Sequence, residues 1–253
     1  MCQLCDDDQL EAFELTIDGC LSLTEIKSEH LVKLTLKNLP NLVTIRTGCF
    51  RIFELSIVNC PRLKIIESIP WLSRLSVKHC ARLTLPYELK RLTTLNIDGV
   101  IAIKESLSDY NLPSLSNLAI FNYTNPLSIG GYDVKGEMYN PSLSNIALNG
   151  CCDIHLHGLK LSSLISINSE LLLWESLTEI MKPTAFLMVK KSHNLFSLKN
   201  VNVVTVFIED CPNLYLLPES LKHLKSFQCP KIERSLVREA VLIEIDGTII
   251  HSI

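Results

Sequence analysis

Apolar residues recur along this chain with two interleaved spacings. Leu15 and Ile17 alternate with polar Glu14, Thr16 and Asp18, and apolar positions follow at Cys20, Leu23 and Ile26. The same register fits Leu34, Leu36, Leu39, Leu42 and Ile45, then Leu55, Ile57, Cys60, Leu63 and Ile66. It continues at Leu75, Val77, Cys80 and Leu83, and at Leu95, Ile97, Val100 and Ile103. Counted from the first leucine, the anchor, the motif is L-x-[IVL]-x-x-[CLV]-x-x-[LI]. Looser copies start at Leu118, Ile146, Ile165, Leu187, Val206, Leu224 and Ile243. The twelve anchors are separated by 19, 21, 20, 20, 23, 28, 19, 22, 19, 18 and 19 residues.

The alternation at the anchor predicts a short strand with one buried face. Four residues after the anchor stand Gly19, Asn38, Asn59, His79, Gly99, Asn122, Gly150 and Gly247, in eight of the twelve units. These types tolerate positive φ, so each strand is expected to end in a bend. The later aliphatics then bring the return segment back over the core. One such coil buries too little to offset its own ordering entropy, so only a stacked array is stable, its strands pairing into one long parallel sheet.

The repeats resemble leucine-rich repeats, and the match covers roughly residues 11 to 253. The short unit, with Leu85-Pro86 and Leu217-Pro218 closing coils, is similar to repeats of bacterial effectors. The Cys-Pro-x-Leu of Cys60 to Leu63 and Cys211 to Leu214 is equally similar to repeats of plant disease-resistance receptors. The resemblance implies an α/β solenoid, a curved right-handed superhelix with its parallel sheet on the concave face and loops or short helices on the convex face. Residues 1–12 are expected to form a short acidic segment or cap, and residues 13–253 one domain of about twelve repeats. The chain departs from the family five residues after the anchor, where Asn is usual and never occurs here.

Six of the ten cysteines, Cys20, Cys60, Cys80, Cys151, Cys211 and Cys229, occupy that position. A thiol there packs as a small apolar group with a weak donor, and these six are read as core spacers. Cys2 and Cys5 form a C-x-x-C with no second pair at zinc-finger spacing. The run Cys151, Cys152, Asp153, Ile154, His155, Leu156, His157 is richer in ligand types. A metal or redox site there competes with the blander reading of a coil turn bearing two surface histidines.

With 47% hydrophobic residues, 44 leucines, 25 isoleucines and a net charge of −3, the chain has the composition of a regular aliphatic fold. It has no Lys/Arg block of the kind that neutralises nucleic-acid phosphates, so nucleic acid is not expected as a partner. The longest uncharged span, Tyr110 to Tyr132, is studded with Asn, Ser and Pro, so no membrane span is expected. The start of the chain lacks a basic stretch followed by an apolar run, and unsignalled thiols fit a reducing compartment. The expected location is therefore intracellular, in the cytoplasm, as a resident or as a protein delivered into a host cell. No glycine-rich phosphate loop or nucleophile elbow occurs. The expectation is a non-enzymatic recognition module without a cofactor.

In such a solenoid the sheet exposes positions minus one, plus one and plus three around each anchor. At minus one the first coils carry Glu14, Lys33, Glu54 and Arg74, an alternating charge ladder. At plus one stand Thr16, Thr35, Ser56, Ser76, Asn96, Ala119 and Ala147, all small. The second half differs. Phe186 at minus one, Met188 and Phe207 at plus one and Phe227 at plus three stand beside Lys190, Glu209 and His223, the composition of a contact site for a protein partner. Register drift that turns these rings into the core is the competing reading.

The long step between Leu118 and Ile146 contains Ile129, Gly130, Gly131, Tyr132, Met138 and Tyr139, read as a loop leaving the coil, either a passive insertion or a ligand contact through Tyr132, Met138 and Tyr139. Leu171 to Lys182, with Trp174, has helical spacing and is expected as a convex-side helix. The apolar last strand, with Ile243, Ile245, Ile249 and Ile250, leaves a sheet edge on which a second copy of the chain has a place to pair, unless a further domain continues there. By resemblance the partner belongs to host–pathogen or immune recognition. An alternative reading makes the chain a substrate receptor or scaffold of a ubiquitin ligase or other assembly.

Overall fold

The structure is a computed structural model that describes residues 13–26, 31–46, 51–67, 69–86, 89–99, 106–131, 135, 140–169, 181–199, 201–232 and 242–251. The chain divides into two compact units, Met1–Asn125 with Tyr139–Ser142 and Pro126–Met138 with Leu143–Ile253. Each is a parallel β-solenoid with coils of about 20 residues.

The first unit contains β1 (Glu14–Asp18), β2 (Glu25–Ile26), β3 (Lys33–Lys37), β4 (Thr44–Ile45), β5 (Glu54–Val58), β6 (Ile65–Ile66), β7 (Arg74–Lys78), β8 (Thr94–Asp98) and β9 (Asn117–Phe121). Strands β1, β3, β5, β7, β8 and β9 pair in parallel, anchor beside anchor: Leu15, Leu34, Leu55, Leu75, Leu95 and Leu118. The aliphatics on the return segments form the second sheet, β2-β4-β6, with Ile26, Ile45 and Ile66 in register.

The second unit contains β10 (Leu127–Gly130), β11 (Asn145–Asn149), β12 (Ile154–His157), β13 (Leu161–Ile167), β14 (Met181–Lys190), β15 (Thr205–Glu209), β16 (His223–Phe227), β17 (Leu242–Ile245) and β18 (Thr248–His251). Strands β11, β13, β14, β15, β16 and β17 are parallel neighbours, and β10 pairs in parallel with β12.

The bend after each strand is the device that stacks the coils. With the eighth anchor at Leu164 rather than Ile165, all twelve residues four positions after an anchor have positive φ, between 45° and 86°. This includes Lys191, Asp210 and Gln228, whose residue types do not announce it. The left-handed turn aims the amide at the next coil: Asn38 N donates to Val58 O at 3.0 Å, Asn59 N to Lys78 O at 2.9 Å, and Lys191 N to Glu209 O at 2.8 Å. It also turns the next residue inward, which is why Cys60, Cys80 and Cys211 are fully buried. A further core position, three residues before the anchor, is filled by Leu31, Ile52, Leu72, Leu92, Leu115, Leu143, Leu161, Val203 and Leu221, all buried.

Several expectations are corrected. The α/β class with convex helices is not supported. Among the described residues the helical structure is one 3-10 turn, Leu107–Asp109, because a coil of this length has room for only a few extended residues on its return. Of the expected helix 171–182, residues 171–180 lie outside the described residues, and Met181 and Lys182 open β14. The weak anchor at Ile165 is one residue off. Ile146 pairs with Leu164 and Leu164 with Leu187. Leu164 and Ser166 are therefore buried, Ile165 and Ile167 face outward between them, and the bend falls on Asn168.

Ile129 and Gly130 are not loop residues but part of β10. A side chain on Gly130 would strike the carbonyl oxygen of His157, so glycine is required where these two return strands touch. The chain does not stop on a single strand: Asp246 and Gly247, both at positive φ, turn β17 into an antiparallel hairpin with β18. Tyr132, Met138, Tyr139, Cys2, Cys5 and the acidic segment 1–12 lie outside the described residues.

Candidate functional site

The outward face of the sheet in the second unit carries the expected apolar residues. Leu187, Val189, Val206 and Ile208 are fully or almost fully buried, so Phe186, Met188 and Phe207 between them lie on the outer side, half-buried. Phe227 is 44% exposed. The rings are not turned into the core.

Parallel pairing sets these residues in rows. Ile165, Met188 and Phe207 are consecutive partners and form an apolar row three coils long, which Lys225 continues. Ser163, Phe186, Thr205, His223 and Leu242 form the row on one side. Ile167, Lys190, Glu209 and Phe227 form the row on the other.

Charge is arranged around Phe207. Lys190 Nζ lies 4.8 Å from its ring centroid and Lys225 Nζ 5.9 Å from it, close enough for cation–π attraction. Each lysine is also held by a carboxylate on the next strand: Lys190 by Glu209 at 2.7 Å and Lys225 by Glu244 at 3.1 Å. The arrangement presents a ring flanked by fixed cations whose charge is balanced locally. His223 is exposed at the edge. Ile165, Ile167 and Lys225 escaped the sequence reading because of the one-residue register error and the degenerate unit at Leu224. Asn168, a residue type suited to the bend, was the signal that places the register.

The equivalent face of the first unit is self-paired. Lys33 Nζ lies 3.8 Å from Glu14 and 3.9 Å from Glu54, and Arg74 binds Glu54 at 2.6 Å. Asn59 Nδ2 donates to Asn38 Oδ1 at 2.9 Å, and Asn38 Nδ2 to Asp18 Oδ1 at 2.8 Å. Between the charged row and these amides a shallow depression of about 180 Å³ is floored by Thr35, Ser56, Ser76 and Asn96.

The cysteines at plus five lie in the core. Cys80 Sγ donates to Lys78 O at 3.2 Å and Cys229 Sγ to Phe227 O at 3.3 Å, each thiol meeting the carbonyl two residues before it. Neighbouring thiols also interact. In the Cys211/Cys229 pair, the contact between the two side chains lowers the pKa of Cys229 to about 6, and the same contact together with burial raises that of Cys211. Cys60 is lowered and Cys80 raised for the same reason.

Cys151 is buried and its thiol donates to Asn149 O, while Cys152 is half-buried. His155 and His157 stack on β12 with centroids 5.9 Å apart and planes 15° apart. Among the described residues no group of three His, Cys, Asp or Glu side chains is gathered as a metal ion requires. No described helix is long and apolar enough to cross a membrane.

No protein-family model matches the chain, and neither the curated proteins nor the solved structures searched contain a match.

Proposed function

We propose that the chain is a leucine-rich-repeat-type recognition module that binds a protein partner, without catalysis, through the sheet face of its second unit. The observation that carries this reading is the row Ile165, Met188 and Phe207, with Phe186 and Phe227 on either side, on the outer side of an in-register parallel sheet. Aromatic and methionine side chains rimmed by charge are the composition in which binding energy concentrates. Parallel pairing fixes the spacing of their attachment points before a partner arrives, so little backbone ordering remains to oppose association. The buried thiols suit a reducing intracellular setting, and the resemblance to effector and resistance-receptor repeats favours a partner from host–pathogen or immune recognition.

The test is a partner captured from a cell lysate with the full chain and then measured against the variant Phe186→Ala/Phe207→Ala. Loss of two hot-spot rings is expected to weaken binding by about thirtyfold or more. Unchanged affinity in a variant with an unchanged circular dichroism spectrum removes this face as the site.

A further inference from the structure

Away from the sheet face, the first unit carries a second surface with a different chemistry. Two residues before each anchor, the backbone is clamped from coil to coil: Phe53 N donates to Val32 O at 2.8 Å, Ser73 N to Phe53 O at 2.9 Å, and Thr93 N to Ser73 O at 2.8 Å. The approach to each strand is therefore as regularly stacked as the strand itself. Four residues before the anchors of three consecutive coils stand Arg51, Trp71 and Arg91. The Arg91 guanidinium lies 3.6 Å over the Trp71 ring, and Phe53 meets that indole at 6.3 Å between centroids with the planes tilted by 51°.

Trp71 is 38% and Phe53 43% exposed, and both arginines are exposed. The described glutamates of this unit are already engaged: Glu14 and Glu54 with Lys33 and Arg74, Glu25 and Glu67 with Arg46. No described carboxylate lies within ion-pair distance of Arg51 or Arg91. The column is apolar at its centre, and on both sides it carries an exposed arginine with no carboxylate partner among the described residues.

We propose that the Arg51–Trp71–Arg91 column, with Phe53 beside it, is a docking ridge for an acidic peptide segment of a protein partner. A guanidinium stacked on an indole keeps its in-plane N–H groups free for bidentate contact with a carboxylate. Arg51 and Arg91 are two coil spacings apart, about 10 Å. In polyproline II conformation, residues three apart share one side of the peptide at about 9 Å. Two glutamates three residues apart thus match the backbone spacing of the two arginines, whose long side chains reach the carboxylates from either side of Trp71. This surface is separate from the sheet face and does not depend on that reading.

The experiment titrates fluorescently labelled Pro-Glu-Leu-Pro-Glu-Pro, and its counterpart with both glutamates replaced by glutamine, against the full chain by anisotropy. The glutamate peptide is expected to bind about tenfold or more tightly than the glutamine peptide. Its binding falls as salt rises, drops to the glutamine level in Arg51→Gln/Arg91→Gln, and is unchanged in Phe186→Ala/Phe207→Ala. Equal binding of the two peptides to the wild-type chain overturns the proposal without any variant. So does arginine-dependent binding of phosphatidylserine vesicles or of a single-stranded polynucleotide when the glutamate peptide does not bind.

Discussion

The sheet faces of the two units rest on the same backbone and carry opposite chemistry. In the first, Glu14, Lys33, Glu54 and Arg74 neutralise one another across neighbouring strands, and the positions beside them are small. In the second, the corresponding rows hold Ile165, Phe186, Met188, Phe207 and Phe227, with lysines paired to carboxylates around Phe207. The bend after every anchor strand adopts the same left-handed conformation in both units. Stacking is thus delegated to the backbone and the buried rows, which leaves the outer rows free to differ. One unit uses them to hold register, and the other presents half-buried and exposed apolar side chains there.

The comparison is broken most forcefully by exchanging core for face. Leu95→Ala empties a fully buried anchor and is expected to cost about 2–5 kcal/mol, whereas Phe207→Ala, on the face, costs about 1 kcal/mol through the lost cation–π contacts. Urea unfolding followed by circular dichroism measures both. Similar losses would mean that the second face is core.

A smaller effect, with the opposite sign, is expected at Ser166. It sits in the buried row otherwise held by Leu148 and Val189, and its hydroxyl has no hydrogen-bond partner. Ser166→Val is expected to stabilise the chain by about 1 kcal/mol, a rise of roughly 2–4 °C in Tm. A fall in Tm would place that hydroxyl in a contact on which the second unit depends.

The bends give a third contrast. Lys191 adopts the left-handed conformation at φ 54° without a residue type suited to it, so Lys191→Gly is expected to stabilise by about 0.5–1 kcal/mol. Asn59→Gly yields no such gain, because its amide donates to Asn38. Differential scanning calorimetry of the two variants distinguishes these outcomes. The smallest effect is expected on the charge ladder. Glu54→Gln costs under about 1 kcal/mol at low ionic strength and nothing measurable in 1 M salt, where screening acts over about 3 Å.

What was legible in the sequence follows from this division of labour. Period-two alternation at Leu34/Leu36 or Leu55/Ile57 leaves a single face for burial, and the recurrence about 20 residues later fixes parallel neighbours. Glycine and asparagine mark most of the bends. The weak coil was misread because Ile165 and Ile167 are as apolar as true anchors, while the buried slot holds Ser166. Composition pointed to the wrong parity, and only the bend at Asn168 encodes the right one. The expected convex helices failed because helical spacing and a return segment of short strands share the same aliphatic positions. The closing hairpin was written in Asp246-Gly247, a dipeptide suited to a turn with two positive φ values, but it also satisfied the repeat motif. The cationic partners of Phe207 and the stacking of Arg91 on Trp71 depend on side-chain directions across coils, which no local pattern contains.

The register of the second unit sets both the stacking of its coils and the alignment of its apolar row. Spin labels at Ala147 and Lys225, attached by a chemistry that spares the native thiols, test it directly by double electron–electron resonance. These residues occupy the same outward row four coils apart, so the predicted separation is about 19 Å, four strand spacings, with a narrow distribution. A broad distribution, or a distance beyond about 30 Å, which in-register parallel strands cannot span in four steps, would contradict the stacked coils and the aligned apolar row together.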